Sequence, residues 1–236
     1  MAGSGFSISG LVDDMRNFFY DGIQTFPLAI GGALLILGLM TSNYAILFFL
    51  IGYLVLVPIS AYGANLVVDT VVHRYNFTKK WFQANGSDLC NVFIPFGDFS
   101  NKQSAVPGTA FNTVWLSMTV FFFSYMMTNA ISLLTTKPEL KEPEKIAHRK
   151  MQAMISIVVI TLAFVFIVFG RYKSDCETIG GIIWTILMYG GFGVGWYSML
   201  SSIGQNRLSD LFGIANRLLS PYAVTNEPVA CFPIAA

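Results

Sequence analysis

Charge is scarce in this chain. Lys and Arg number 14 and Asp and Glu 13 among 236 residues, 11% in all, against about 25% in soluble domains. The net charge of +1 leaves no basic field to hold nucleic acid, and no acidic tail is present. Histidine is scarcer still, with only His73 and His148. Two histidines separated by a long apolar run cannot build a clustered metal site, and the three cysteines contain no C-x-x-C pair. A G-x-S-x-G elbow, an H-E-x-x-H pair and a glycine-rich phosphate loop are all missing. Asp69 and His73, four residues apart, are the best catalytic pair on offer, and a poor one. The chain therefore reads as a non-enzyme that uses no cofactor or metal.

What is present is apolar. Hydrophobic residues make up 54%, aromatics 15%, and the mean hydropathy is +0.60. Between Lys102 and Lys137 lie 34 uncharged residues, where a bilayer-spanning helix needs about 20. This stretch is patterned. At 100° per residue Thr113, Ser117, Ser124, Thr128 and Ser132 fall within an arc of about 100°. A lipid-bathed helix has no reason to align its hydroxyls. A helix packed in a bundle does, because small residues permit close approach and hydroxyls can bond across the contact or to their own carbonyls.

Other uncharged runs flank this one. Gly22 to Val68 is 47 residues, right for two spans that turn near Thr41-Ser42-Asn43, with Pro58 expected to kink the second. Met151–Gly170 and Thr178–Asn206 supply two more. The sequence thus predicts an all-α integral membrane protein of about five transmembrane helices, at about 24–41, 45–68, 108–134, 151–170 and 178–203, within a membrane domain of 23–206. A large loop occupies 69–106.

Amphipathic helices are expected at both ends. In residues 1–22, Ile8, Leu11, Val12, Met15, Phe18 and Phe19 recur at helical spacing opposite Asp13, Asp14, Asn17 and Asp21, which suits a helix at the membrane interface or on a partner and not a secretory signal peptide. In residues 207–236, Leu208, Leu211, Phe212, Ala215, Leu218 and Leu219 repeat the spacing until Pro221, and an extended tail follows. The last span holds a G-x-x-x-G pair, Gly191 and Gly195, continued by Ser198 and Ser202. Packing within the bundle is the preferred reading of this pair, with homodimerisation the other.

Five spans place the termini on opposite sides, and Lys plus Arg then count to seven on each side, so the positive-inside bias is tied. Two signals break the tie. The glycosylation sequons Asn76-Phe-Thr78 and Asn85-Gly-Ser87 both lie in the large loop. Cys90 and Cys176 fall on the same side as each other, whereas Cys231 falls on the opposite one, so a Cys90–Cys176 disulfide is a candidate. Cys90 as a small apolar residue of its loop is the competing reading. An alternative function is a small transporter or channel whose polar path is lined by Asn65, Asn112, Asn129 and the hydroxyl face of the third span. No internal repeat supports it, and the spans offer no charge to couple an ion.

Trp115–Leu133 (WLSMTVFFFSYMMTNAISL) and Lys137–Ile157 (KPELKEPEKIAHRKMQAMISI) resemble multi-pass membrane proteins of giant nucleocytoplasmic large DNA viruses, over about 40 residues. The shared elements are an FFF-x-Y/F-x-x-x-N-A segment (Phe121–Ala130), a Pro/Glu-rich turn (Pro138–Lys145) and an Arg-Lys-x-Gln-Ala helix start (Arg149–Ala153). The resemblance implies a structural or assembly protein in the internal virion membrane or in the host ER-derived membrane that supplies it. Its partners would be the lipid bilayer, capsid or minor capsid proteins and other membrane proteins. Such viruses often encode thiol oxidases, so on this resemblance a disulfide alone does not fix the side of a loop.

Overall fold

The computed structural model describes residues 8–75, 113–135, 143–174, 176–203, 208, 209 and 211; of residues 8–21, 23, 24, 68–75 and 143–149 it describes the backbone alone. All regular structure among the described residues is helical. The protein is an all-α membrane protein.

Helix α1 runs from Ile8 to Thr41 without a break, with Pro27 inside it. The expected interfacial helix and the first span are therefore one element. The physical reason is that Gly22 is the only weak helix former between Asp21 and the apolar run, and a single glycine lowers helix stability by only about 1 kcal/mol. The apolar part, Thr25–Thr41, is 17 residues, or about 25 Å at 1.5 Å per residue. The helix continues through the uncharged Gly22, which brings it to the thickness of a bilayer core.

The turn falls where the sequence places it. Ser42 adopts a left-handed φ of 50°; its N–H donates to the Leu39 carbonyl, and that of Asn43 donates to Gly38 at 3.0 Å. This paired closure satisfies carbonyls that the end of α1 would leave orphaned. The side chain of Asn43 then accepts from the Ala45 N–H and caps the next helix.

The second span is continuous but not uniform: α2 (Tyr44–Leu50), a π-helical stretch (Ile51–Leu56) and α3 (Val57–Tyr75). The kink expected at Pro58 takes the form of this wider turn just before it. Pro58 has no N–H and crowds the carbonyl one turn back, and the Val57 N–H reaches five residues back to Gly52.

Helix α4 (Val114–Thr135) is capped by Thr113, whose hydroxyl accepts from the Leu116 N–H at 3.1 Å. Helix α5 (Pro143–Lys173) starts on proline at its first position, where a missing N–H matters least, so the fourth span carries a charged N-terminal extension. Helix α6 (Ile179–Ile203) is capped by Thr178 through the Gly181 N–H at 3.1 Å. Among the described residues four helices are long and apolar enough to cross a membrane, and Thr25–Thr41 is a shorter apolar helix beside them. Residues 208, 209 and 211 lie in turns, not in the expected C-terminal helix; the first part of the expected 69–106 loop, through Tyr75, instead continues α3, and residues 76–112 and 212–236 lie outside the described residues.

Helix α4 is the hub. It packs chiefly on α6, then on α5 and α3, and touches α1. Of its span 61% is buried, against 11% for α5, whose Val158, Val159, Leu162, Val165, Phe166 and Phe169 face outward as a lipid-contacting surface does.

Candidate functional site

Two groupings stand out, an aromatic seam in the middle of the bundle and a polar knot at one end.

The seam is built on the FFF run of α4. Phe121 stacks on Phe49, with centroids 5.7 Å apart, and Phe49 meets Tyr125 edge-on at 4.8 Å. Tyr125 in turn meets Tyr197, and Phe123 meets Phe26 and Phe164. One α4 segment thus joins rings from α1, α2, α5 and α6. Its polar tips are satisfied: the Tyr53 hydroxyl donates to the Pro27 carbonyl at 2.9 Å and that of Tyr125 to Ser209 at 3.0 Å. Gly52 is required here, because a Cβ would come within 2.8 Å of the Trp196 indole nitrogen and 3.0 Å of the Phe121 ring.

The hydroxyl face of α4 is placed as follows. Ser117 is fully buried, and Thr113, Ser124 and Thr128 are half-buried. The hydroxyls of Ser117, Ser124 and Thr128 turn back on their own helix: Ser117 donates to the Thr113 carbonyl, Ser124 to Phe121 and Thr128 to Ser124. Burial is not confined to that face, however. Every residue from Trp115 to Phe121 is buried, including Thr119, which the arc missed. A helix surrounded by neighbours over that stretch has no lipid side there. Asn129 is buried, Asn65 is half-buried and Asn112 lies outside the described residues.

The G-x-x-x-G pair needs correcting. Gly191 and Gly195 are exposed, and a Cβ at either would meet nothing within 4 Å; Ser198 and Ser202 are exposed beside them. The helix contact is made by the glycine between them. A Cβ on Gly193 would run into the Ser124 side chain and come within 2.8 Å of the Phe121 carbonyl. The buried row of α6 is Gly181, Thr185, Tyr189, Gly193 and Tyr197, a four-residue repeat alternating small and large. A glycine-rich span offers two such rows, and only the neighbours decide which one is packed.

The polar knot joins two charges, Arg171 and Glu177, that stand between the uncharged runs Met151–Gly170 and Thr178–Asn206. Both are buried, at 4% and 5% exposure. The Arg171 guanidinium lies 3.4 Å from Glu177 Oε1 and 4.5 Å from the Trp115 ring centroid. Thr113 Oγ1 donates to the same Glu177 oxygen. Glu177 therefore sits beside the N-termini of both α4 and α6, whose dipoles favour an anion, while Arg171 closes the last turn of α5, where a cation is favoured. Burial nevertheless pushes the Glu177 carboxyl above its ordinary range, opposed by the Thr113 hydroxyl and the Arg171 charge. Adjacent Cys176 is buried and disulfide-bonded. Its partner, one of Cys90 and Cys231, lies outside the described residues, as do Asn76 and Asn85. The signal available in the sequence was Arg and Glu six residues apart, bracketing a turn too short to leave the bundle.

Chemically, the knot ties three helix ends together. Among the described residues no three His, Cys, Asp or Glu side chains gather to hold a metal. Asp69 and His73 lie one turn apart on α3 and His148 lies on α5, by backbone position only. No family model matches the chain, and no curated protein or solved structure matches it.

Proposed function

We propose that this chain is a structural or assembly membrane protein, of the kind that resides in the internal membrane of a large icosahedral DNA virus and contacts capsid or other membrane proteins. The observation that carries the structural part is the closed aromatic seam. The middle of the bundle, where a conduction path would run, is filled by Phe49, Tyr53, Phe121 and Tyr125, each less than 2% exposed. The α4 hydroxyls that would line a polar path bond to their own backbone. The buried charges sit at the end of the bundle and are paired, so they serve as a tie between helices. The viral part rests on the resemblance of Trp115–Leu133 and Lys137–Ile157, which fall on α4, on the segment after it and on the start of α5.

Quantitative mass spectrometry of gradient-purified particles, compared with membranes of infected cells, tests this reading. The protein should copurify with capsid protein at constant ratio through the gradient. Its absence from particles, with abundance in cellular membranes, would overturn the virion assignment.

A further inference from the structure

The two ends of the bundle are chemically distinct, and the helices fix which residues share an end. The contacts of Glu177 with Thr113 and Arg171 gather the start of α4, the end of α5 and the start of α6 at one end. Asn43 donates through Nδ2 to the Leu211 carbonyl, which gathers the α1–α2 turn and the segment after α6 at the other. Starting from Asn43, the second span runs towards the Glu177 end, so Tyr75 and Thr113 both open there.

Cys176 belongs to the Glu177 end and is disulfide-bonded. Of the two other cysteines, Cys90 lies in the segment that leaves from Tyr75 and returns at Thr113. Cys231 follows in sequence from Leu211, which lies at the Asn43 end. To reach Cys176 its segment would have to cross a hydrocarbon layer about 30 Å thick. That segment carries Asn226, Glu227, Pro228 and Pro233, and an irregular chain in lipid leaves backbone groups without partners.

We infer that the bundle end formed by Thr113, Arg171, Cys176 and Glu177 faces an oxidising, non-cytosolic compartment, where Cys176 is joined to Cys90, and that the Asn43 end faces the cytosol. Two facts agree. Disulfides persist in oxidising compartments. Both sequons, at Asn76 and Asn85, belong to the segment that opens at the Cys176 end. Lys and Arg, seven on each side, favour neither orientation. The bond forms by exchange with a disulfide-bearing thiol oxidoreductase. One cysteine thiolate attacks its disulfide, the second cysteine resolves the mixed disulfide, and the two electrons and two protons of the cysteines pass to the oxidoreductase, which departs as the dithiol.

The test uses the full chain in closed microsomes with the cytosolic face outward and a membrane-impermeant PEG-maleimide as probe. Wild type should gain one adduct, at Cys231, in intact vesicles, and none further on adding detergent. Detergent together with reductant should reveal two more. A Ser42→Cys variant should gain a second adduct in intact vesicles, so that the orientation is read even if Cys231 is shielded. Reactivity of Ser42→Cys only after detergent would overturn the orientation. A free thiol at Cys176 without reduction, or a Cys176–Cys231 linked peptide, would overturn the pairing.

Discussion

Gly193 of α6 lies directly against Ser124 of α4, close enough that no side chain at all fits on the glycine. That contact sets how near the two principal helices of the bundle approach.

Gly193→Ala should therefore destabilise the bundle by at least about 1–3 kcal/mol, because the Phe121 backbone carbonyl cannot move aside as a side-chain tip could. Ser124→Leu, which overfills the same contact from the other helix, should cost about the same. Gly191→Ala and Gly195→Ala meet open space and should stay within about 1 kcal/mol of wild type. Unfolding in micelles by graded addition of SDS measures all four, and a larger loss at Gly191 or Gly195 than at Gly193 would refute the packing described.

Arg171→Ala removes the counter-charge of Glu177 and the cation over Trp115. A buried charge left alone costs about 3–5 kcal/mol, so this variant should be among the least stable. Arg171→Met with Glu177→Gln should lose much less than Arg171→Ala, since no charge then remains buried. Additive losses in that pair, read from the same unfolding curves, would mean that the two residues act independently.

The Glu177 carboxyl is raised in the folded protein, chiefly by burial. A group that binds its proton more tightly folded than unfolded contributes stability that is complete below its unfolded pKa. That contribution is lost as pH rises through the folded value. Wild type should thus become progressively less stable relative to Glu177→Gln as pH is raised from the ordinary carboxylate range towards neutrality. The measurement is the difference between the two unfolding midpoints across that window. A difference that moves the other way would mean that the Arg171 and Thr113 contacts outweigh burial.

Tyr53→Phe keeps the ring stack with Phe49 and deletes the bond to the Pro27 carbonyl. The loss should be about 0.5–1.5 kcal/mol, the net worth of one hydrogen bond. A cost above that range in the micelle assay would show that Tyr53 also props the π-helical stretch in which it sits.

Much of the fold was legible in the sequence because apolar run length is a coarse and robust signal. Charge-free stretches place the second, fourth and fifth spans and the turn at Ser42 close to where the helices and turn are found. Three things were not legible. The junction at Gly22 looked like a boundary, yet a helix passes through a lone glycine when the residues on both sides favour it. The choice between the Gly191–Gly195 row and the Gly193 row depends on which side α4 lies, a tertiary fact that local pattern does not encode. The knot was hidden for a related reason: Arg171 and Glu177 are ordinary turn charges until α4 brings Thr113 and Trp115 over them.

A bundle filled by its aromatic seam conducts nothing, and reconstitution of the full chain alone into sealed vesicles measures this. Release of potassium, sodium and small neutral solutes should match that of protein-free vesicles at every protein-to-lipid ratio, with an added ionophore confirming that the vesicles are tight. A saturable flux that grows in proportion to the protein content would contradict it.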